Sequence, residues 1–147
     1  MKFYEITENK KQYLDLLLLA DEQEDMIDRY LDKGRVYVLD DDGVKSQAVV
    51  VELNENQLEV KNLATDPNFQ GRGYGKKMLD YVASLYAGSG KELLVGTGDS
   101  PLTVPFYERC GFVRSHLLEN FFIDNYDHPI IEEGIQLIHM VYLKKVL

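Results

Sequence analysis

The chain predicts a single α/β (α+β) domain over residues 1–147, in which helices cover both faces of one mixed sheet. Apolar residues make up 45% of the sequence, which is enough for a sizeable core. The apolar spacing switches between strand and helix periods in the order β-αα-βββ-α-β-α-ββ. Four strand-like runs precede the first crossover helix, and that order favours a mixed sheet of about seven strands.

The N-terminal half carries four of the predicted strands and two helices. Gly34 is expected to end the second helix as its C′ residue. Asp42 and Gly43 close a polar turn between two β-branched runs, which is typical of a hairpin. The predicted elements are a strand at 3–6, helices at about 9–20 and 22–33, a hairpin at 35–53 and a fourth strand, QLEVKNLAT, at 57–65.

The C-terminal half alternates helices with strands. Pro101 lies near the start of its second helix, and Gly111 closes that helix. A polar, aromatic loop separates the last two strands. The predicted elements are a helix at 72–87, a buried strand at 91–97, a helix at 101–110 and strands at 112–122 and 134–146.

The formal net charge of −9 restricts the partners of this chain. Such a field repels nucleic acid and favours cations, so a small amine is a reasonable ligand. An anionic ligand needs a local positive site, for which the densest candidate comprises Arg72, Lys76, Lys77 and Lys91. No apolar run has the length of a membrane span, and the N-terminus lacks a signal peptide's apolar region. The single cysteine, Cys110, agrees with a reducing compartment, so we expect a cytoplasmic protein.

Three glycines at alternate positions, Gly71, Gly73 and Gly75, separate the fourth strand from the following helix. Neither a dinucleotide fingerprint nor a Walker A loop fits, because both patterns need glycine where the chain has Lys76 or Gln70. The underlying physics still applies, since a helix N-terminus presents free N–H groups and a partial positive charge. Glycines let an anion approach that backbone closely. The segment therefore predicts a pyrophosphate cradle.

The segment NLATDPNFQGRGYGKKML resembles the coenzyme A segment of the GNAT superfamily, a family of acyl-CoA-dependent N-acyltransferases. That family's signature is Q/R-x-x-G-x-G/A. The strand before it ends in Leu63-Ala64-Thr65, similar to the family's Leu-Ala-Val triplet. FYERCGF, at 106–112, is similar to the family's tyrosine-containing helix that ends in Gly-Phe. The residues that meet the signature are Gln70, Gly71, Arg72, Gly73, Tyr74 and Gly75.

The resemblance implies a GNAT-like, mostly antiparallel sheet that splays between its fourth and fifth strands, and acetyl-CoA as cofactor. It implies that backbone groups of Leu63 and Thr65, with Ala64 between them, hold the pantetheine arm. It also implies that the backbone of residues 70–76, with Arg72 and Lys76, holds the pyrophosphate. Dimers are frequent in the family, so a homodimer is expected.

Two catalytic roles follow from the same resemblance. Tyr107 falls at the position of the family's catalytic tyrosine, where a phenol can protonate a leaving thiolate. Glu59 matches the position of the base in the histone-modifying branch. Strand alternation predicts that Glu59, Lys61 and Leu63 share a face. Because the positive charge of Lys61 would then lie beside Glu59, Glu59 is expected to act through water or by orienting the substrate. Asp99 and Ser100 remain alternatives for the base.

The remaining candidates have weaker patterns. Cys110 could form an acyl-enzyme but is expected to be structural. The spacing of His116, His128 and His139 does not suit a metal, and none is predicted. The loop ENFFIDNYDHPIIEEG, at 119–134, has aromatic and acidic side chains that fit either a cationic amine or a packed lid.

The leading interpretation is an N-acetyltransferase that acetylates a primary amine of a small molecule by direct attack in a ternary complex. A peptide or protein amine is an alternative acceptor. A non-catalytic, CoA-binding regulatory module and a nucleotide-phosphate binder are alternatives from other classes.

Overall fold

The computed structural model describes all 147 residues. None of its helices is both long and apolar enough to cross a membrane. The strands are β1 (Lys2–Ile6), β2 (Arg35–Asp40), β3 (Val44–Asn54), β4 (Gln57–Thr65), β5 (Glu92–Gly98), β6 (Val113–Leu118), β7 (Ile131–Glu132), β8 (Ile135–Gln136) and β9 (Met140–Val146). The helices are α1 (Leu14–Ala20), α2 (Glu24–Asp28), α3 (Tyr74–Leu85), α4 (Val104–Arg109) and α5 (Phe121–Asn125), with a 3₁₀ turn at Pro67–Phe69.

Seven strands form one sheet in the order β1-β2-β3-β4-β5-β9-β6, and β7 pairs only with β8. Every neighbouring pair in the large sheet is antiparallel except β4 and β5, which are parallel. A parallel pair needs a crossover connection, which α3 supplies. The predicted mixed, mostly antiparallel sheet is therefore confirmed.

Helices cover both faces of the sheet because its strands alternate two apolar sets. In β2, Val36 and Val38 pack with α1 and α2, whereas Tyr37 and Leu39 pack with α3 on the opposite face. Buried apolar residues of β4, β5 and β9 extend the α3 core, which also takes in Val104 of α4. We call these the α3 face and the α1–α2 face.

The first two helices are shorter than their spacing predicts. The helix α1 begins at Leu14, and α2 ends at Asp28, five residues before the predicted stop. Gly34 is not a left-handed helix cap. A Cβ atom there would lie 2.6 Å from Cγ1 of Val49, so Gly34 lets the chain pass close to β3.

The two predicted C-terminal strands are interrupted by turns. The strand β6 ends at Leu118, and Asn120 has a positive φ of 57° ahead of α5. Glu133 and Gly134 also have positive φ, which makes a tight hairpin turn between β7 and β8. Strand β9 begins only at Met140. Residues 119–139 therefore form a separate layer, called here the 119–139 segment.

Candidate active site

The site begins where β4 and β5 stop pairing. Their parallel register runs from Gln57 opposite Glu92 to Val60 opposite Val95 and ends there. Beyond that point, residues 62–65 pair only with β3, and the last three residues of β5 pair only with β9. The backbone edge of residues 61–65 therefore faces an open cleft with free hydrogen-bonding groups. This is the splay expected between the fourth and fifth strands.

A bulge at Lys61 changes which side chains of β4 share a face. Val50 lies opposite Val60, but the next partner of β3 is two residues further along β4, so Lys61 is the extra residue. Glu59 consequently lies on the α1–α2 face, and Leu63 packs with the α3 core. The predicted common face for Glu59 and Leu63 is wrong, because simple alternation does not survive a bulge.

The glycine-rich turn follows the open edge of β4. Asp66 starts it by accepting a hydrogen bond from the backbone N–H of Asn68 at 2.9 Å. Gly71 and Gly73 have φ values of +77° and +83°, and a Cβ atom added to either would have nothing within 4 Å. Helix α3 begins at Tyr74, so its first N–H groups have no partner within the helix. Bare backbone, free N–H groups and open space together suit a phosphate group.

Gly75 has a different role from the other two glycines. Its φ is not positive, and a Cβ atom there would lie 3.2 Å from Cζ of Phe106. This glycine lets α3 approach α4 closely, as the third glycine of a nucleotide-binding turn often does.

The predicted cations differ in whether a carboxylate pairs with them and in whether they lie near the turn. Arg72 lies over the ring of Phe69 at 5.1 Å. Lys76 pairs with Asp80 at 2.7 Å, and that carboxylate raises the pKa of Lys76. Lys91 lies next to the start of β5, which pairs with the start of β4, whereas the turn follows the other end of β4. Lys91 is therefore not part of the predicted positive cluster.

Lys45 is a cation beside the turn that sequence reasoning missed. Its Nζ lies 4.3 Å from the centre of the Phe69 ring, on a side chain that is nearly buried. The carbonyl of Lys45 accepts a hydrogen bond from the N–H of Asp66 at 2.8 Å. Only the register of β3 against β4 brings Lys45 here, so no local pattern could have revealed it.

Tyr74 also faces this end of the sheet. Its hydroxyl donates to Oδ2 of Asp41, in the β2–β3 turn, at 2.7 Å. That hydrogen bond lowers the pKa of Asp41 and raises the pKa of Tyr74. The side chain of Gln70 donates to the carbonyl of Thr65 at 3.3 Å, which ties the turn back to β4.

Glu59 is a nearly buried carboxylate close to the splay. Only 5% of the residue is exposed. Its Oε2 accepts a hydrogen bond of 3.0 Å from the hydroxyl of Tyr142, and its Oε1 lies 3.3 Å from Nζ of Lys61. Burial, followed by the charge of Glu59, raises the pKa of Tyr142. Tyr142 was not a sequence candidate, because it lies 83 residues from Glu59.

Tyr107 is half-buried at the middle of α4. Its ring packs edge-on against Phe106 and Phe112, and no hydrogen bond within the protein engages its hydroxyl. Burial raises the pKa of this phenol, so it is protonated at neutral pH. A protonated, unpaired phenol can act as a proton donor.

The other sequence candidates near α4 have structural partners. Cys110 is buried, and burial raises the pKa of its thiol, which makes it a poor nucleophile. Ser100 is also buried, and its Oγ accepts a hydrogen bond from the N–H of Leu102 at 3.0 Å. Asp99 is exposed and lies 3.5 Å from Arg114. Of these three candidates for the base, Glu59 alone is a carboxylate that is nearly buried.

The 119–139 segment packs its aromatic rings into a small core. Phe122 is buried with Ile130 and Leu137, and Tyr126 stacks on Phe122 with the ring centres 5.8 Å apart. The hydroxyl of Tyr126 donates to Asp21, between α1 and α2, at 2.8 Å. Of the two interpretations of this loop, the structure favours the packed lid over aromatic faces open to a ligand.

The three histidines are dispersed. His116 stacks on Tyr142, His128 lies between Glu22 and Asp127, and Nδ1 of His139 accepts a hydrogen bond from the N–H of Asn120. No group of three histidine, cysteine, aspartate or glutamate residues is placed to hold a metal ion.

Comparison with known proteins agrees with this geometry. The family described as Acetyltransferase (GNAT) domain matches residues 32–114. The uncharacterized N-acetyltransferase YvbK of Bacillus subtilis (strain 168) is 32% identical over 139 residues, which are 92% of this chain and 90% of that protein.

Two solved structures are similar over nearly their whole length. A GNAT family acetyltransferase from Elizabethkingia anophelis, solved with acetyl-CoA bound, has a TM-score of 0.92 at 32% identity, covering 99% of this chain and 97% of that chain. A Bacillus subtilis acetyltransferase in complex with CoA has a TM-score of 0.87 at 31% identity, covering 99% of this chain and 98% of that chain.

Proposed function

Because the chain belongs to the GNAT family of acetyltransferases, we propose that it transfers the acetyl group of acetyl-CoA to a primary amine of a small molecule. Acetyl-CoA is its cosubstrate, as the cofactor-bound relatives support. The observation that carries the proposal is the unpaired edge of β4, residues 61–65, immediately ahead of the glycine-rich turn. The open edge of β4 offers main-chain groups to the amide-bearing pantetheine arm of the cofactor, and the glycine-rich turn offers N–H groups to its diphosphate.

The residues at this site fit coenzyme A. Gly71 and Gly73 keep their positive φ with open space where side chains would stand, which leaves the backbone accessible. Arg72 lies beside that space without a carboxylate partner, and Lys45 adds a second charge nearby. The residues we assign to the cofactor are Leu63, Ala64, Thr65, Gln70, Gly71, Arg72, Gly73, Tyr74, Gly75 and Lys76. Lys76 contributes least, since it already pairs with Asp80.

Glu59 is assigned as the group that accepts the proton of the acceptor ammonium. Its two oxygens already contact Tyr142 and Lys61, so the proton reaches a remaining lone pair, directly or through one water molecule. Deprotonation makes the amine nucleophilic, and a buried carboxylate beside the splay is suitably placed for this role.

Tyr107 is assigned as the proton donor to the leaving group. Acetyl-CoA supplies the acetyl thioester, in which a C–S bond breaks as the new C–N bond forms. As the C–N bond forms, the attacking nitrogen loses its second proton to water. Tyr107 gives its phenolic proton to the departing sulfur, and water returns a proton to Tyr107. The hydroxyl of Tyr107, which no protein group engages, supports this role.

A small acceptor is favoured over a peptide by the 119–139 segment. Tyr126 and His128 join this segment to Asp21 and Glu22 of the α1–α2 connection, so it forms a wall on the same face as Glu59. A bounded site suits a compact amine, whereas an extended peptide needs an open groove. The net charge of −9 favours a cationic acceptor. The homodimer stays a prediction.

The proposal is tested by following free thiol release from acetyl-CoA across a panel of primary amines and basic peptides. The expected result is amine-dependent release with at least one small amine and formation of the N-acetylated product. Tight binding of acetyl-CoA without turnover on any amine would instead support the regulatory module. Turnover confined to peptides would move the acceptor class to protein amines.

A further inference from the structure

We propose that Tyr142 is the positioning residue that holds the carboxylate of Glu59 in place for proton transfer, an inference that rests on the proposed function. The hydroxyl of Tyr142 donates to Oε2 of Glu59 at 3.0 Å. Both residues are nearly buried, with 8% and 5% of their surfaces exposed. A buried hydrogen bond to a charged acceptor is stronger than one in water, so it fixes the carboxylate firmly.

The contact reaches across a whole strand. Glu59 belongs to β4 and Tyr142 to β9, and β5 lies between them in the sheet. Gly96 of β5 lies opposite Tyr142 in the register. A Cβ atom on Gly96 would stand 2.9 Å from Cζ of Tyr142 and 2.6 Å from Sδ of Met140. The missing side chain of Gly96 is therefore what lets the phenol ring lie over β5 and meet the carboxylate.

The other side of the Tyr142 ring is supported by β6. The imidazole of His116 stacks on it with ring centres 4.7 Å apart and an angle of 3° between the planes. The β6–β9 register shifts between Arg114 and Leu117, so His116 lies in an irregular stretch of the edge strand. Ser115 Oγ lies 3.0 Å from Nδ1 of His116 and limits rotation of the imidazole.

The arrangement has a chemical consequence for Glu59. With its hydroxyl donating to Oε2, Tyr142 fixes the rotation of the carboxylate and so the direction of the lone pairs that remain to accept a proton. Lys61 contacts the other oxygen, so the carboxylate is held at both ends. Tyr142 stays protonated, because burial and the negative charge of Glu59 raise its pKa. The hydrogen bond therefore persists over the working pH range.

The test compares the wild-type protein with Tyr142→Phe, which keeps the ring and removes only the hydroxyl. We expect kcat to fall about tenfold or more, while KM for acetyl-CoA stays within about twofold. Adding Tyr142→Phe to Glu59→Gln should lower kcat no further, because Tyr142 acts only through Glu59. A purely structural role for Tyr142 would lower kcat in both backgrounds.

Tyr30→Phe is the matched control, because it removes another buried phenol–carboxylate hydrogen bond, from Tyr30 to Asp21 at 3.1 Å. This variant should keep the wild-type kcat. His116→Ala provides a second route if Tyr142→Phe is unstable. It removes the stacked ring and keeps the phenol, so a smaller loss of kcat is expected.

The inference is overturned if Tyr142→Phe, or His116→Ala in its place, is folded and keeps the wild-type kcat while Glu59→Gln is inactive. The proposed function would still stand in that case. Failure of the proposed function has a separate signature, because the wild-type protein would then release no thiol with any amine.

Discussion

The two sides of the splay are built from different parts of the polypeptide. The proposed cofactor side consists of main chain, namely the open edge of residues 61–65 and the turn containing Gly71 and Gly73. The proposed acceptor side consists of side chains from separate strands, with Glu59 hydrogen-bonded to Tyr142. A backbone site depends on conformation and tolerates many side-chain changes, whereas a side-chain site loses its function when one atom is removed. Substitutions on the two sides of the splay should therefore have different effects.

The largest effect is expected for Glu59→Gln. This change keeps the size of the side chain and removes its ability to accept a proton, so kcat should fall by about 10²–10⁴. The affinity for acetyl-CoA should stay unchanged, because the cofactor side is backbone. Steady-state thiol release and calorimetry measure the two quantities.

Glu92→Gln is the matched control for that change. Glu92 is a strand glutamate that pairs with Lys144 at 3.2 Å, as Glu59 does with Lys61, but it lies at the opposite end of the β4–β5 pairing. Wild-type kcat is expected for this variant. A Glu59→Gln enzyme with normal turnover would remove Glu59 from the mechanism and leave Asp99 and Ser100 as candidates for the base.

Tyr107→Phe should have the next largest effect. The variant keeps the ring that packs against Phe106 and Phe112 and removes the proton donor. We expect turnover at saturating substrates to fall about 10- to 100-fold, with the affinity for acetyl-CoA nearly intact. Turnover equal to that of the wild type would show that the leaving sulfur needs no proton from this phenol.

Gly73→Ala tests the backbone side. A residue with a Cβ atom at φ +83° costs about 1–2 kcal/mol, so the free turn should relax and binding must restore it. We expect the Kd of acetyl-CoA to rise about tenfold while kcat at saturation is retained. Gly88→Ala, at φ +78° and equally uncrowded, is a control with the same strain away from the turn. Equal affinity loss in both variants would contradict the assignment.

The smallest effect is expected for the contact of His128 with Glu22, which joins the 119–139 segment to the α1–α2 connection. Hydrogen bonds with Asp127 and Glu22 raise the pKa of His128. The protonated imidazole therefore stabilises this contact at low pH, and the contribution is lost as pH rises through the raised pKa. Amide protection in the 119–139 segment, corrected for intrinsic exchange, should fall across that range. The pH dependence should vanish in His128→Gln, and its persistence there would assign the effect to another group.

The sequence predicts the main-chain side of the splay well and the side-chain side poorly. The strand at 57–65 is predicted with its observed bounds, because local periodicity determines it. Glycine placement predicts the turn that follows, but α3 begins at Tyr74 and not at residue 72. The pairing of Glu59 with Tyr142 depends on the order of β4, β5 and β9, which no local pattern contains. The bulge at Lys61 defeats strand alternation for the same reason. In the 119–139 segment, left-handed turns at Asn120 and Gly134 overrode an apolar pattern typical of strands.

The most direct test of the account is hydrogen exchange on the wild-type protein with and without acetyl-CoA. The cofactor should protect backbone amides in residues 63–76, at the open edge of β4 and in the turn, and leave the 119–139 segment unchanged. Protection confined to residues 119–139, or none in residues 63–76, would contradict the claim that the main chain of β4 and the turn hold the cofactor.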